Sequence, residues 1–185
     1  MRIVGGRLRG KKLAEVGAGD AAAHLRPTTD RVRESLFNLL INGRNGDLVH
    51  GTRVLDLFAG TGALGLEALS RGAVSATFVD NGTAARALLR ENIEACAAQG
   101  VTKVFRKDVR QIGPAREACD LIFLDPPYGQ GLGEEILPVL RAEGWLAPGA
   151  TLVWEEATAP IIPASFETLD QRSYGNTTIT LLRHP

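Results

Sequence analysis

The sequence predicts an α/β fold: a mostly parallel seven-stranded sheet with helices on both faces, closed by an antiparallel terminal hairpin strand. Three observations predict it. From residue 53 onward, short apolar runs of strand length alternate with helix-length segments. The first of those runs leads straight into a glycine turn that opens a helix. The last stretch, FETLDQRSYGNTTITLL (166–182), holds two strand-like segments around Tyr174-Gly175-Asn176, with no room for a helix between them.

The first fifty residues stand outside the alternation. RIVGGRLRGKKL places glycines at a turn and predicts a small N-terminal β-hairpin extension. The Ala/Gly-rich stretch 14–23 is low in complexity and predicts a loop. In RPTTDRVRESLFNLLI, Thr28, Thr29 or Asp30 can cap a helix whose apolar side is Leu36, Phe37, Leu39, Leu40 and Ile41. That helix is expected to pack on the main body and to carry Arg31 and Arg33 outward. Residues 1–50 thus form a basic hairpin-and-helix extension, and 51–185 the main domain.

Within the main domain, RVLDLF (53–58) is the first strand and SATFVD (75–80) the second. Helix 84–100 follows, with Gly100 as its expected C-cap. TKVFRKD (102–108) is the third strand, and VRQIGPAREA a short helix interrupted by Pro114. CDLIFLD (119–125) is the fourth strand, 133–145 a helix kinked or broken at Pro138, and ATLVWEE (150–156) the fifth strand.

Composition bounds the function. The chain has 185 residues, 44% hydrophobic and 23% charged, an ordinary globular mix for one domain. No apolar run approaches the ~20 residues of a membrane helix, and the N-terminus lacks a signal-type apolar core, so a cytoplasmic protein is expected. The zero net charge hides an asymmetry. Residues 1–50 hold nine Lys/Arg against five Asp/Glu, whereas 51–185 hold twelve against sixteen. That division suits a polyanion met from one side, and equally a basic tail without a partner. Cys96 and Cys119 have neither metal nor disulfide-framework spacing, and His24, His50 and His184 form no cluster, so no metal is expected.

Two sites emerge. In DLFAGTGALGLEAL, Gly60-x-Gly62-x-x-Gly65 follows a strand and opens a helix. Such glycines let a ligand approach backbone N–H groups at a helix start. Asp80 ends the second strand, twenty positions beyond Gly60, where a carboxylate can accept from ribose hydroxyls. The pattern alone permits a dinucleotide. Asp56, four residues before Gly60, favours a cationic ligand over a pyrophosphate. D-x-F-A-G-T-G resembles the first motif of S-adenosylmethionine (SAM) methyltransferases. Ala59 and Thr61 lie in the same loop, Asn81 follows Asp80, and Val109 follows Asp108. Asp108 stands where an adenine-contacting residue is expected, and equally where a helix N-cap would be.

The second site is Asp125-Pro126-Pro127-Tyr128, ending the fourth strand. Two prolines cannot continue a ladder, so the strand must stop there. An exocyclic amine on a base is a poor nucleophile, because its lone pair is delocalised. The Asp125 carboxylate and Pro126 carbonyl can hold its hydrogens and turn that lone pair toward a methyl donor. Pro127 stiffens the turn, and Tyr128 offers a stacking face. Methylation at cytosine carbon 5 needs a cysteine nucleophile, and neither cysteine follows the fourth strand.

RIVGGRLRGKKL, LRPTTDRVRESLFNLL, DLFAGTGALGLEALSRGA, DPPYG and GWL together resemble the RsmD family of ribosomal RNA methyltransferases over nearly the whole chain. The resemblance implies a Rossmann-like SAM-dependent methyltransferase fold and transfer of methyl from SAM to guanine N2 in 16S ribosomal RNA. It implies action on the small ribosomal subunit or its precursor. A monomer is expected. It puts Asp56, Gly60 and Gly62 at the methionine side of SAM, Asp80 at the ribose and Asp108 near the adenine. Arg7, Arg9, Lys11, Arg26, Arg31 and Arg33 would contact RNA. Asp80 stands where members often carry glutamate, and Lys11 where arginine is common. An adenine-N6 or cytosine-N4 methyltransferase, or a non-catalytic SAM-sensing assembly factor, are the alternatives.

Overall fold

The computed structural model describes residues 1–15 and 28–185. Seven strands form one sheet: β1 (Arg53–Leu57), β2 (Ser75–Val79), β3 (Thr102–Phe105), β4 (Cys119–Leu124), β5 (Leu146–Glu156), β6 (Glu167–Tyr174) and β7 (Thr177–Arg183). Their order is β3-β2-β1-β4-β5-β7-β6. The first five are mutually parallel, and β7 runs antiparallel to both β5 and β6. The β6–β7 connection is the two-residue turn Gly175-Asn176, with Gly175 at φ 62°.

Side chains alternate across the sheet as period-two strands require. Val54, Phe78, Leu121 and Phe123 join one core with helices α1 (Asp30–Asn42), α2 (Ala63–Ser70) and α3 (Thr83–Ala95). Leu55, Leu57, Ile122, Leu124 and Trp154 join the opposite core, covered by α4 (Leu132–Ala142). Each large side chain buried this way stabilises by roughly 1.5–3 kcal/mol. The expected seven-stranded sheet with helices on both faces is therefore the architecture.

Several boundaries differ from expectation. Helix α3 ends at Ala95, not Gly100. Ala97 takes the left-handed position at φ 50°, its amide donates to Glu94 O, and the Ala98 amide donates to Ile93 O. That Schellman-type stop leaves Gly100 in the 3₁₀ turn Gln99–Val101. β3 stops at Phe105, and only a 3₁₀ turn (Val109–Gln111) replaces the short helix before β4. β5 begins four residues earlier than expected, at Leu146 rather than Ala150. Pro138 lies within a continuous α4.

The expected N-terminal hairpin is a short antiparallel pairing around the Arg2–Lys12 bridge and a 3₁₀ turn at Gly6–Leu8: the Ile3 amide donates to Lys11 O, the Gly10 amide to Ile3 O and the Leu13 amide to Met1 O. Other backbone donors of the arm go to α2. The Val4 and Gly5 amides donate to the two Glu67 carboxylate oxygens, each at 2.8 Å. The Leu8 amide donates to Ser70 Oγ at 2.9 Å. Glu67 and Ser70 belong to α2, so this arm is docked on the helix that the glycine turn opens. Ile3 and Leu13 are buried in the α1–α3 core.

One further expectation is corrected here. Arg33 does not face outward: its side chain is fully buried. It donates to the Arg2 and Thr28 carbonyls, pairs with Asp30, and lies 3.7 Å from the fully buried Glu67 carboxylate. Arg33, Leu36, Phe37 and Leu40 share the inward stripe of α1 at spacings of three, four and seven. Arg33 has no surface to offer RNA. It ties arm, α1 and α2 together.

Candidate active site

The sheet order reverses at β1, with β2 on one side and β4 on the other. Open α/β sheets bind ligands where such a reversal leaves a crevice at the carboxyl ends of the strands. Both sequence-predicted motifs lie there. Leu57 pairs with Val79 and with Leu124, and Leu124 pairs with Trp154. The next residue on each strand is therefore Phe58 on β1, Asp80 on β2, Asp125 on β4 and Glu155 on β5. Neighbouring strands lie about 4.8 Å apart, so these four residues form a row.

The glycine turn is held from both sides. Phe58 has φ 57°, a left-handed conformation that strains a bulky residue. Gly60 and Gly62 follow at φ 55° and 78°. The Gly62 amide donates to Ala59 O at 2.7 Å and closes the turn. Asp80 Oδ2 accepts from the Gly60 amide at 2.9 Å, and Oδ1 accepts from the Gly82 amide at 2.7 Å. These bonds use two of about four acceptor positions on the carboxylate, which leaves capacity for hydroxyls. Thr61 is buried, and its carbonyl accepts from Asn92 Nδ2 at 2.9 Å. The same Asn92 amide exchanges bonds with both backbone groups of Ala14.

Behind the turn, Asp56 is 2% exposed and accepts from the Gly65 amide at 2.9 Å. Burial, with a smaller push from Asp80, drives its carboxyl up to about 8, against the pull of the Gly65 bond. Asn81 is exposed beside Asp80, and Val109 is buried. Asp108 caps the 3₁₀ turn through the Arg110 amide at 2.9 Å, and the Arg110 side chain holds its carboxyl below the ordinary range. The cap reading of Asp108 is therefore realised, and one face of the residue remains open.

At the end of β4, Asp125 is half-buried, Pro126 buried, Pro127 exposed and Tyr128 half-buried. Burial raises the Asp125 carboxyl well above the ordinary range, reinforced by Glu155, Asp56 and Glu156. The influence of Asp56 on Asp125 places the two motifs in one electrostatic neighbourhood. Tyr128 Oη donates to Glu155 Oε1 at 2.8 Å and meets Thr177 Oγ1 at 3.1 Å. The Gly129 amide donates to Glu156 Oε1 at 3.0 Å. Glu155 and Glu156, at the carboxyl end of β5, thus brace the Asp-Pro-Pro-Tyr turn. Sequence reasoning missed both. The signal was two acids closing the fifth predicted strand. Among the described residues no group of three or more His, Cys, Asp or Glu is arranged to hold a metal ion.

The family model described as "Conserved hypothetical protein 95" matches residues 1–183. "Ribosomal RNA small subunit methyltransferase D" of Escherichia coli (strain K12) is 38% identical over 169 residues, covering 90% of this chain and 81% of that protein. The chain belongs to the RsmD family. A second relative, from Haemophilus influenzae and of the same name, is 33% identical over 95% of this chain and 89% of its own length. The solved structure of yhhF from Escherichia coli superposes with TM-score 0.83 at 36% identity, covering 100% of this chain and 97% of that one. TrmN from Thermus thermophilus shares the fold at 23% identity and TM-score 0.67. The RsmD-family chain thus has the fold of SAM-dependent methyltransferases.

On the outer side, Arg7, Arg9, Lys11 and Arg31 are exposed. Arg9 and Arg31 line a groove of about 490 Å³ between the arm and α1, with Ser35, Asn38 and Arg71. Arg26 lies outside the described residues. No helix among the described residues is long and apolar enough to cross a membrane.

Proposed function

We propose that the protein transfers the methyl group of SAM to the exocyclic N2 amine of a guanine in 16S ribosomal RNA, within the small subunit or its precursor. The observation that carries this reading is Asp125-Pro126-Pro127-Tyr128 at the carboxyl end of β4, one strand from the glycine turn after β1. The names of the relatives support ribosomal RNA of the small subunit as substrate.

The residues present fit SAM. A Cβ on Gly65 would overlap the Phe78 ring, and one on Gly62 would overlap Leu89, so this turn tolerates only bare backbone. Two carboxylates flank it, Asp56 behind and Asp80 in front, which suits a ligand bearing a sulfonium, an ammonium and a ribose. SAM supplies an electrophilic methyl carbon on that sulfonium. Asp56 and the 59–62 backbone would hold its amino-acid side. Asp80 and Asn81 would hold the ribose, and Asp108 and Val109 the adenine.

Asp125 and the Pro126 carbonyl accept hydrogen bonds from the target N–H groups. Holding those hydrogens turns the nitrogen lone pair toward the methyl carbon. Tyr128 supplies a face for the extruded base. The amine nitrogen would take the methyl group as the methyl–sulfur bond is released, which leaves a surplus proton on nitrogen. The Asp125 carboxylate would then accept that proton, a role suited to a group whose proton affinity burial raises. Orientation of this kind can supply several kcal/mol of barrier lowering. Arg7, Arg9, Lys11 and Arg31 would contact phosphates, which position RNA without reading sequence.

The test is incubation with methyl-labelled SAM and either unmethylated small subunits or duplex DNA, followed by digestion to nucleosides. Label in N2-methylguanosine from the subunits supports the reading. Label only in N6-methyladenine or N4-methylcytosine overturns the base assignment. Tight subunit binding without any transfer overturns the enzymatic one.

A further inference from the structure

Glu155 is a buried acid in an unfavourable place. It is 5% exposed and sits beside Asp125, whose carboxyl it helps to push up. Burial raises the Glu155 carboxyl as well. Two neighbouring acids, one of them buried, conflict, and a neutral side chain there would relieve the conflict. The geometry shows what Glu155 does instead. Its Oε1 accepts from Tyr128 Oη at 2.8 Å, and its Oε2 accepts from Thr28 Oγ1 at 2.9 Å. Thr28 immediately precedes the α1 N-cap, Thr29. One carboxylate therefore ties the tyrosine of the β4 turn to the start of the N-terminal helix, across 127 residues of sequence.

Tyr128 Oη and Thr28 Oγ1 both donate to the Glu155 carboxyl. The single Tyr128 proton is then committed, and Thr177 Oγ1 must donate to Tyr128 Oη at 3.1 Å. Two hydrogen bonds at the phenol oxygen fix where that end of the Tyr128 side chain sits.

Building on the proposed function, we infer that Glu155 is a positioning residue for transfer. It anchors the Tyr128 side chain, by its phenol oxygen, where it forms the platform for the target base, and it is itself held by Thr28. Docking of the N-terminal segment thereby sets the aromatic wall of the catalytic pocket. In this role Glu155 acts through Tyr128; its charge, which also raises the Asp125 carboxyl, is absent from Glu155→Gln, so recovery in that variant assigns the loss to positioning.

The test uses Glu155→Leu, Glu155→Gln, Thr28→Val, Tyr128→Phe and the double variants Glu155→Leu/Tyr128→Phe and Glu155→Leu/Thr28→Val. Methyl transfer to unmethylated small subunits gives kcat and KM, and thermal unfolding gives stability. Glu155→Leu is expected to lower kcat roughly 10- to 100-fold with KM for SAM unchanged, as misplacement of a positioned group does. Glu155→Gln, which keeps an acceptor for Tyr128 and offers its amide to Thr28, is expected to recover most of that loss. In each double variant the losses should fall short of the product of the single losses, in kcat and in melting temperature. Wild-type kcat in Thr28→Val, or fully multiplicative losses in the doubles, would overturn the inference while leaving methylation itself intact. If the wild type transfers no methyl to RNA, the proposed function fails. The melting-temperature cycles then still decide whether the latch exists.

Discussion

Asp56 and Gly65 are joined by a hydrogen bond of 2.9 Å that links the end of β1 to the first turn of α2 beneath the glycine loop. The acceptor is a buried acid pushed up to about 8, so near neutrality it is mostly protonated in the ligand-free protein. A cationic ligand favours the ionised form. SAM affinity should therefore be weak at pH 6 and rise about tenfold or more by pH 9. Calorimetry in buffers of different ionisation enthalpy should detect a proton released on binding. Asp56→Asn should flatten that pH dependence.

The same acid acts on stability with the opposite trend. Its folded value lies above the ordinary value of 3.8. Between the two, the unfolded chain ionises and the folded chain does not. The stability from this group is fully present below about pH 4 and is lost as pH rises toward 8. Asp56→Asn should remove that slope in urea unfolding, and should be more stable than wild type at pH 8 while binding SAM less tightly.

Asp125→Ala should leave SAM affinity intact and reduce transfer by roughly 100-fold or more, because the amine loses the acceptor that orients it. Filter binding of labelled SAM alongside transfer to small subunits separates the two effects. Wild-type turnover in this variant would sink the assignment.

Two arginines two residues apart should behave in opposite ways. Arg33 is buried against Glu67, so Arg33→Met should cost about 3–5 kcal/mol by leaving a buried carboxylate short of a partner. Arg31 is exposed in the groove, so Arg31→Ala should change stability by less than about 0.5 kcal/mol. Its effect should fall on RNA affinity and lower the salt slope by about 1. Urea unfolding and salt-dependent binding distinguish them.

Gly65→Ala should destabilise by about 1–3 kcal/mol through overpacking, since the new methyl overlaps the Phe78 ring and meets Asp56 Oδ2 at 3.1 Å. It should also shrink the SAM-induced rise in melting temperature, because Asp56 must shift.

Much of this was legible in the chain. The apolar run of CDLIFLD announced the fourth strand. The paired prolines announced its end. What escaped the reading has physical causes. Helix α3 stops on a left-handed Ala97, a conformation that favours glycine, so Gly100 drew the boundary too far. Arg33 sits on the apolar stripe of α1, but a charge near a helix start reads as surface unless its buried partner is known. That partner, Glu67, is 34 residues away, and only packing brings them together. Glu155 and Glu156 looked like the polar end of a strand. Their task as braces depends on the adjacency of β4 and β5.

Asn92 shows a final consequence. One buried amide grips the Thr61 carbonyl in the glycine turn with the same nitrogen that grips Ala14 at the end of the docked arm. A shift of Thr61 therefore cannot be absorbed by the turn alone: it is passed through one side chain to Ala14, and the glycine turn and the docked arm share a common pin.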